Sequence, residues 1–391
     1  MAAKDTLPLH DKALFLLLVP LLLIRCIIAL TFKPNRSLHW RQHLALRFLQ
    51  SQRSTFPTRI LRWYVRRTGT GAAISGYCAT KNIPHQSVTL QSASSSPSLP
   101  PGVLHILTPP NPNTHHDRTL LYFHGGGFVN PLRGNAHMPF IIQCGAACHA
   151  SRVAVLEYAL APEHTYPAQL IHSIAALTYL LEDLALSAED IILAGDSAGG
   201  QMVGSLLAHL ATPSPYAVPL SFTGQIGGAL FISPFTLLNL DERSYIRNEG
   251  RDYLTRDQVR GFKCAWGPKE GEVWADLCGA SHAEGVWETV FRGGDKNGVG
   301  LVRKVMITVG TGEVFLDCCR VFAGHKFAKA ERVVIARSSM EMGHWSGVLR
   351  DKDVVFVECQ GEVHVQPALD AAVRYEDGIM RRTIITWLEN L

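Results

Sequence analysis

The sequence predicts an α/β protein: a mostly parallel central sheet, helices on both faces and a helical cap. Three observations predict it. Short apolar runs of β character recur between residues 103 and 357 and alternate with helical stretches, as strands joined by crossover helices do. One of them, Ile191 to Ala194, passes through Gly195-Asp196-Ser197-Ala198-Gly199 straight into the helical run Gln201 to Leu210. With 391 residues, 47% hydrophobic and 18% charged, the chain can bury a large core.

In chain order, Ala13 to Phe32 is an almost unbroken apolar run. It has the ~20 residues that a helix needs to cross a bilayer. Arg25 interrupts it at a cost of ~2.5–3.5 kcal/mol at the bilayer centre, but lies toward one end and can snorkel. The run is longer than a signal-peptide core and lacks a small-residue cleavage site, so it predicts an uncleaved anchor, against a buried or interfacial helix. Lys33, Arg36, Arg41 and Arg47 follow the span, against Lys4 and Lys12 before it, which places the body in the cytosol by charge. The sequon Asn35-Arg36-Ser37 is too close to the span to weigh against this. From Trp40 to Arg67 the chain is basic, aromatic and helical, either a face on lipid headgroups or the outer side of a cap.

Ser92 to Gly102 reads as a Ser/Pro-rich loop, Val103 to Leu107 as a strand, and Pro109 to Asp117 as a turn. The strands Thr119 to Phe123 and Arg152 to Glu157 follow, then a helix from about Pro167 to Glu182, then the Ser197 strand. Ala229 to Ile232, Lys304 to Val309 and Val354 to Val357 complete the alternation. Residues 234–300 form an insertion that walls the pocket, with a helix opened by the capping box Thr255 to Gln258.

The net charge of +4 is concentrated near the N-terminus, which does not suggest nucleic acid. The nine cysteines are odd in number and form no disulfide framework, so reduced thiols are expected. Cys144, Cys148 and His149 have a spacing that metal ligands use, but one turn of core cysteines is the preferred reading, and no metal or cofactor is expected.

Gly-x-Ser-x-Gly between a strand and a helix has a physical reason. The serine sits on a turn too crowded for Cβ atoms two residues either side, and its hydroxyl is lifted above the sheet edge. The turn also aims the Ala198 amide, at the helix N-terminus, toward any negative charge forming there. His124-Gly125-Gly126-Gly127 closes another strand. The amides of Gly125 and Gly126, with that of Ala198, are the candidate oxyanion donors, while His124 braces the loop.

His124-Gly125-Gly126-Gly127, Tyr158-Ala159-Leu160-Ala161-Pro162-Glu163-His164 and Gly195-Asp196-Ser197-Ala198-Gly199-Gly200 occur in that order. Together they resemble the hormone-sensitive-lipase-like branch of the α/β-hydrolase superfamily, over residues 100 to 390. The resemblance implies an α/β-hydrolase fold and an esterase or deacetylase with a Ser–His–acid triad. With the apolar run and the basic segment before it, the chain is expected to divide into an anchor (1–33), a basic juxtamembrane or cap segment (34–99) and a catalytic domain (100–391). Gly361 to Pro367 resembles fungal members, several of which tailor secondary metabolites. The N-terminal span is similar to the arylacetamide-deacetylase type, whose catalytic domain faces the endoplasmic reticulum lumen, so both orientations stay open.

Two departures bear on the site. The family's Asp-x-Leu-x-Asp is here Glu313-Val314-Phe315-Leu316-Asp317, and Ser338 to Lys352 reads as an insertion carrying His344. Glu313 is the expected acid, with Asp317 the alternative. His364 is favoured as base because it follows the last strand, whereas no strand is read before His344. The leading expectation is hydrolysis of a hydrophobic small-molecule ester by Ser197, His364 and Glu313. Acyl transfer or condensation at the same pocket is one alternative. Non-catalytic ligand binding is the other, although the gibberellin receptors that resemble this family lack the triad histidine.

Overall fold

The computed structural model describes residues 7–32, 38–91, 99–110, 112, 117–293, 298–340 and 343–391. Lys4, Lys33, Arg36 and the sequon at Asn35 lie outside them, as do parts of the Ser/Pro-rich loop and of the turn that follows it.

Nine strands form one sheet: β1 (His85–Thr89), β2 (Val103–Leu107), β3 (Thr119–Phe123), β4 (Arg152–Glu157), β5 (Ile191–Asp196), β6 (Gly228–Ile232), β7 (Val305–Gly310), β8 (Glu331–Ile335) and β9 (Val354–Cys359). Their order is β1-β2-β4-β3-β5-β6-β7-β9-β8. Only the β1–β2 and β2–β4 pairings are antiparallel. Central strands have helices on both faces, so alternate side chains enter two cores. Leu121, Phe123 and Leu193 face one core, while Leu120, Tyr122, Ile192 and Ala194 face the other.

Two strands were not legible in the sequence, both at the margins of the sheet. β1 is His-Gln-Ser-Val-Thr, with no apolar run, and β8 has only the short run Val333 to Ile335 after Glu331 and Arg332, with Glu331, Arg332 and Val334 exposed. β8 changes the reading of Ser338 to Lys352. The stretch holds a helix, His344–Asp351, between the parallel strands β8 and β9, so it is part of a crossover that follows a strand. The helix expected from Pro167 runs Ala168–Thr178 and continues as a π-helical turn, Tyr179–Asp183. The helix Arg256–Trp266 opens on Thr255, whose Oγ1 accepts from the Gln258 amide at 3.3 Å while Gln258 Oε1 accepts from the Thr255 amide at 3.2 Å.

Four helices precede β1 among the described residues: α1 (Leu9–Phe32), α2 (Trp40–Thr55), α3 (Thr58–Arg66) and α4 (Thr70–Lys81). Among the described residues α1 alone is long and apolar enough to cross a membrane, with a mean hydropathy of 2.8 over Leu9–Thr31. Arg62 and Arg66 tie α3 to Glu163, whose carboxyl they hold down at about 2.

Candidate active site

β5 ends at Asp196, and the helix Ala198–Ala211 starts two residues later, so Ser197 carries the whole reversal of direction. Its φ of 54° and ψ of −115° are a strained conformation for a side-chain-bearing residue. The flanking glycines are required because a Cβ on Gly199 would collide with the Phe123 carbonyl, and one on Gly195 with the Gly199 carbonyl. The hydroxyl projects to the floor of a cavity of about 550 Å³.

His364 lies beyond β9 and is 3% exposed. Its Nε2 is 2.8 Å from Ser197 Oγ, and its Nδ1 is 2.9 Å from Glu313 Oε2. Glu313, fully buried beyond β7, accepts on its other oxygen from Ser233 Oγ at 2.9 Å and from the Gly310 amide. Burial by itself pushes the His364 pKa down, but the Glu313 hydrogen bond and the charges of Glu313, Asp252 and Asp196 outweigh it, and the net shift is upward. Asp317 turns away, to Arg247 at 3.2 Å and Arg320 at 3.1 Å. His344 opens the crossover helix beyond β8, and its side chain lies outside the described residues.

The glycine loop corrects one expectation. The Gly125 amide donates to Asp196 Oδ1 at 3.0 Å, so it already has an acceptor. Asp196 also accepts from Tyr122 OH at 2.8 Å and meets His137 Nε2 at 3.5 Å. Burial pushes its carboxyl up, but these partners hold it below the ordinary value. Gly126 and Gly127 follow with φ of 123° and 62°. Their amides and that of Ala198 take no acceptor among the described residues. His124 braces the loop: Nδ1 meets the Gly125 carbonyl at 2.7 Å, Nε2 meets Thr70 Oγ1 at 3.3 Å, and burial pushes its pKa down to about 4.

Sequence reasoning missed a set of polar braces in the segment after β6. Ser244, Asn248 and Asp252 stand four residues apart, and all are fully buried. Ser244 Oγ donates to the Val314 carbonyl at 2.7 Å, and Asn248 Nδ2 to the Glu313 carbonyl at 2.7 Å. Asp252 accepts the amides of Val314 and His364. The spacing was visible, but its meaning depends on a long-range neighbour, the Glu313 loop. The same segment supplies Val259, Phe262 and Trp266 to the cavity wall, while α2 and α3 supply Phe48, Leu49, Tyr64 and Val65.

A family pattern described as the alpha/beta hydrolase fold matches residues 120–345, which include Ser197 and Glu313 and stop short of His364. A carboxylesterase of Mycobacterium tuberculosis is 35% identical over 151 residues, 38% of this chain and 44% of that protein. A probable carboxylesterase of Arabidopsis thaliana is 33% identical over 124 residues, 30% of this chain and 35% of its own. The chain thus spans less than half the length of these relatives. A thermostable esterase from Pseudomonas putida superposes with a TM-score of 0.63 at 16% identity, covering 91% of this chain and 98% of that one.

Proposed function

The chain belongs to the α/β-hydrolase fold family, and from that premise we propose that it hydrolyses a carboxylic ester of a hydrophobic small molecule through an acyl-enzyme on Ser197. The observation that carries the proposal is the chain of contacts Ser197 Oγ–His364 Nε2–Glu313, 2.8 and 2.9 Å long and buried at the floor of an apolar cavity. His364 takes the Ser197 proton as Oγ attacks the ester carbonyl, then returns it to the leaving alkoxide. Water repeats the sequence on the acyl-enzyme. Glu313 accepts the Nδ1 hydrogen, which leaves Nε2 free to act as base. The amides of Gly126, Gly127 and Ala198 hold the oxyanion, Gly127 standing where the sequence had suggested Gly125. Phe128, Phe235, Phe262 and Phe315 line the cavity and favour a hydrophobic substrate. The apolar helix α1 fastens the protein to a membrane.

A fluorophosphonate probe should label Ser197 alone, and Ser197→Ala should lose both the label and hydrolysis of p-nitrophenyl acetate. Labelling that survives this substitution overturns the proposal. If the substrate belongs to a tailoring step, as the resemblance of Gly361 to Pro367 to fungal members suggests, a deletion strain accumulates the intact ester.

A further inference from the structure

Helix α1 is apolar around its whole circumference, but only one side meets protein. Leu14, Phe15, Leu18, Val19 and Leu22 recur at steps of one, three and four residues and pack on Phe56, Ile60 and Leu61 of the α2–α3 corner. The Phe15 ring stacks on Phe56 at 5.1 Å and on Tyr64 at 6.1 Å. Polar ties close both ends of this seam. Asp11, 2% exposed, pairs with Arg59 at 2.6 Å, and Arg25 donates to the Ser54 carbonyl at the end of α2. On the opposite side Leu16, Leu17, Leu23, Ile24, Ile27 and Ile28 are each more than half exposed.

This docking is incompatible with an upright span. A 24-residue helix is about 36 Å long, against about 30 Å of hydrocarbon, so Leu14 to Leu22 would lie near mid-depth. The seam would bring Phe56, Ile60 and Leu61 to the same depth, and with them the helix α3 that carries the exposed guanidiniums of Arg59, beside Asp11 at the end of α1, and of Arg62. Charged side chains are strongly disfavoured there. Lying flat, the same helix has protein along one side and acyl chains along the other, with the arginines toward the headgroups.

We propose that α1 lies in the plane of one leaflet of an anionic membrane, docked along α3, and that the pocket opens into that leaflet and admits an ester dissolved in it. Trp40, Leu44 and Phe48, one turn apart on α2, form an exposed apolar stripe, 63, 37 and 40% exposed. Phe48 at its end also lines the pocket. Tyr64 lines the pocket too and stacks on Phe15, so a single ring separates α1 from the substrate space. Charge complementarity selects an anionic surface: between Asp11 and Asp117 the chain has no Asp or Glu, and the six arginines of α2 and α3 (Arg41, Arg47, Arg53, Arg59, Arg62 and Arg66) outnumber the two carboxylates that pair with them, Asp11 with Arg59 and Glu163 with Arg62 and Arg66. The entry route rests on the hydrolase reading of the Ser197 pocket, but the placement of α1 does not.

The full chain, tagged at both ends, is treated with protease in sealed microsomes. The in-plane arrangement gives both tags one fate, either both digested or both protected. Opposite fates, loss of the N-terminal tag by processing, or a freely soluble protein overturn it. In the second arm, a long-chain p-nitrophenyl ester is carried in phosphatidylcholine vesicles with or without phosphatidylserine. Turnover should rise with phosphatidylserine, and Trp40→Glu and Leu44→Glu should lower it roughly 10-fold while soluble p-nitrophenyl acetate is hydrolysed at the wild-type rate. No phosphatidylserine effect, equal loss on both substrates, or loss on neither overturns the entry route. A wild-type protein inert toward p-nitrophenyl acetate refutes the hydrolase reading instead.

Discussion

Asp252 accepts the backbone amide of His364 at 3.3 Å on one carboxylate oxygen and that of Val314 at 3.0 Å on the other. One buried side chain thereby fixes the loop that carries the histidine against the loop that carries the glutamate. Burial pushes its own carboxyl up to about 6, opposed by the nearby His364 and helped by Glu313. Above that value its charge favours protonated His364, which works against the neutral form that a base must have.

Asp252→Asn therefore separates the two roles. The acid limb of kcat/KM should report His364 in the free enzyme, shifted upward from the ordinary histidine value. Removing the Asp252 charge should move that limb to lower pH. The amide nitrogen of asparagine cannot replace the second acceptor, so one buried amide loses its partner and kcat should fall roughly 10-fold. A profile that superimposes on the wild type, with unchanged kcat, shows that Asp252 only supports the fold.

The glycine loop is tested through Asp196 because its carboxylate holds the Gly125 amide. Asp196→Asn retains an acceptor at Oδ1 and should keep kcat within ~10-fold. Asp196→Ala frees the loop, and kcat should fall by ~10²–10³, the loss typical of a misplaced oxyanion donor, with little change in KM. Equal effects of the two substitutions show that the loop is held by something else.

These tests concern the part of the molecule that the sequence revealed least. The central strands were legible because burial on both faces makes them continuously apolar, as in Thr119-Leu-Leu-Tyr-Phe123. β1 and β8 were not: β1 exposes Gln86, Ser87 and Thr89, and β8 opens on the exposed Glu331 and Arg332 and keeps only a short apolar end, Val333 to Ile335, with Val334 exposed. The Gly195–Gly199 turn was readable because steric crowding leaves few residue choices there. The fate of the Gly125 amide was not, because it depends on the carboxylate of Asp196, 71 positions away in the chain. The bracing by Ser244, Asn248 and Asp252 has the same long-range character.

Gln42 on α2 tests how far the N-terminal helices support the site. Its Nε2 donates to Glu362 Oε1 and to Asp370 Oδ2, both at 3.2 Å, two residues from His364 in the first case. Burial pushes both carboxyls up, and the Glu362 charge adds to the effect on Asp370. An acid whose folded pKa is raised contributes stability at low pH and loses it as pH rises through the folded value. Gln42→Ala removes the shared donor just where the pair ionises. It should cost ~1–3 kcal/mol near neutrality, with a larger drop in Tm at about pH 8 than at about pH 5. A drop independent of pH assigns the loss to packing alone.

The last prediction sets Glu313 against Asp317. Both follow β7, and the family spacing admits either. Glu313 lies 2.9 Å from His364 Nδ1, with no exposed surface, and its second oxygen is held by Ser233. Asp317, one helical turn on, is paired with Arg247 and Arg320, which are 45 and 38% exposed in their side chains. An exposed pair of that kind contributes little, ~0–1 kcal/mol. Replacing Glu313 with Gln preserves shape but presents an N–H or a weaker acceptor to Nδ1, so the imidazole loses the tautomer that leaves Nε2 free. The comparable loss in a Ser–His–Asp triad is ~10⁴ in kcat. Glu313→Gln should therefore lose ~10²–10⁴ in kcat, and Asp317→Asn less than ~10-fold, with near-normal melting in both. An inactive Asp317→Asn beside a nearly wild-type Glu313→Gln would reverse the assignment and place the orienting carboxylate on the helix rather than in the turn.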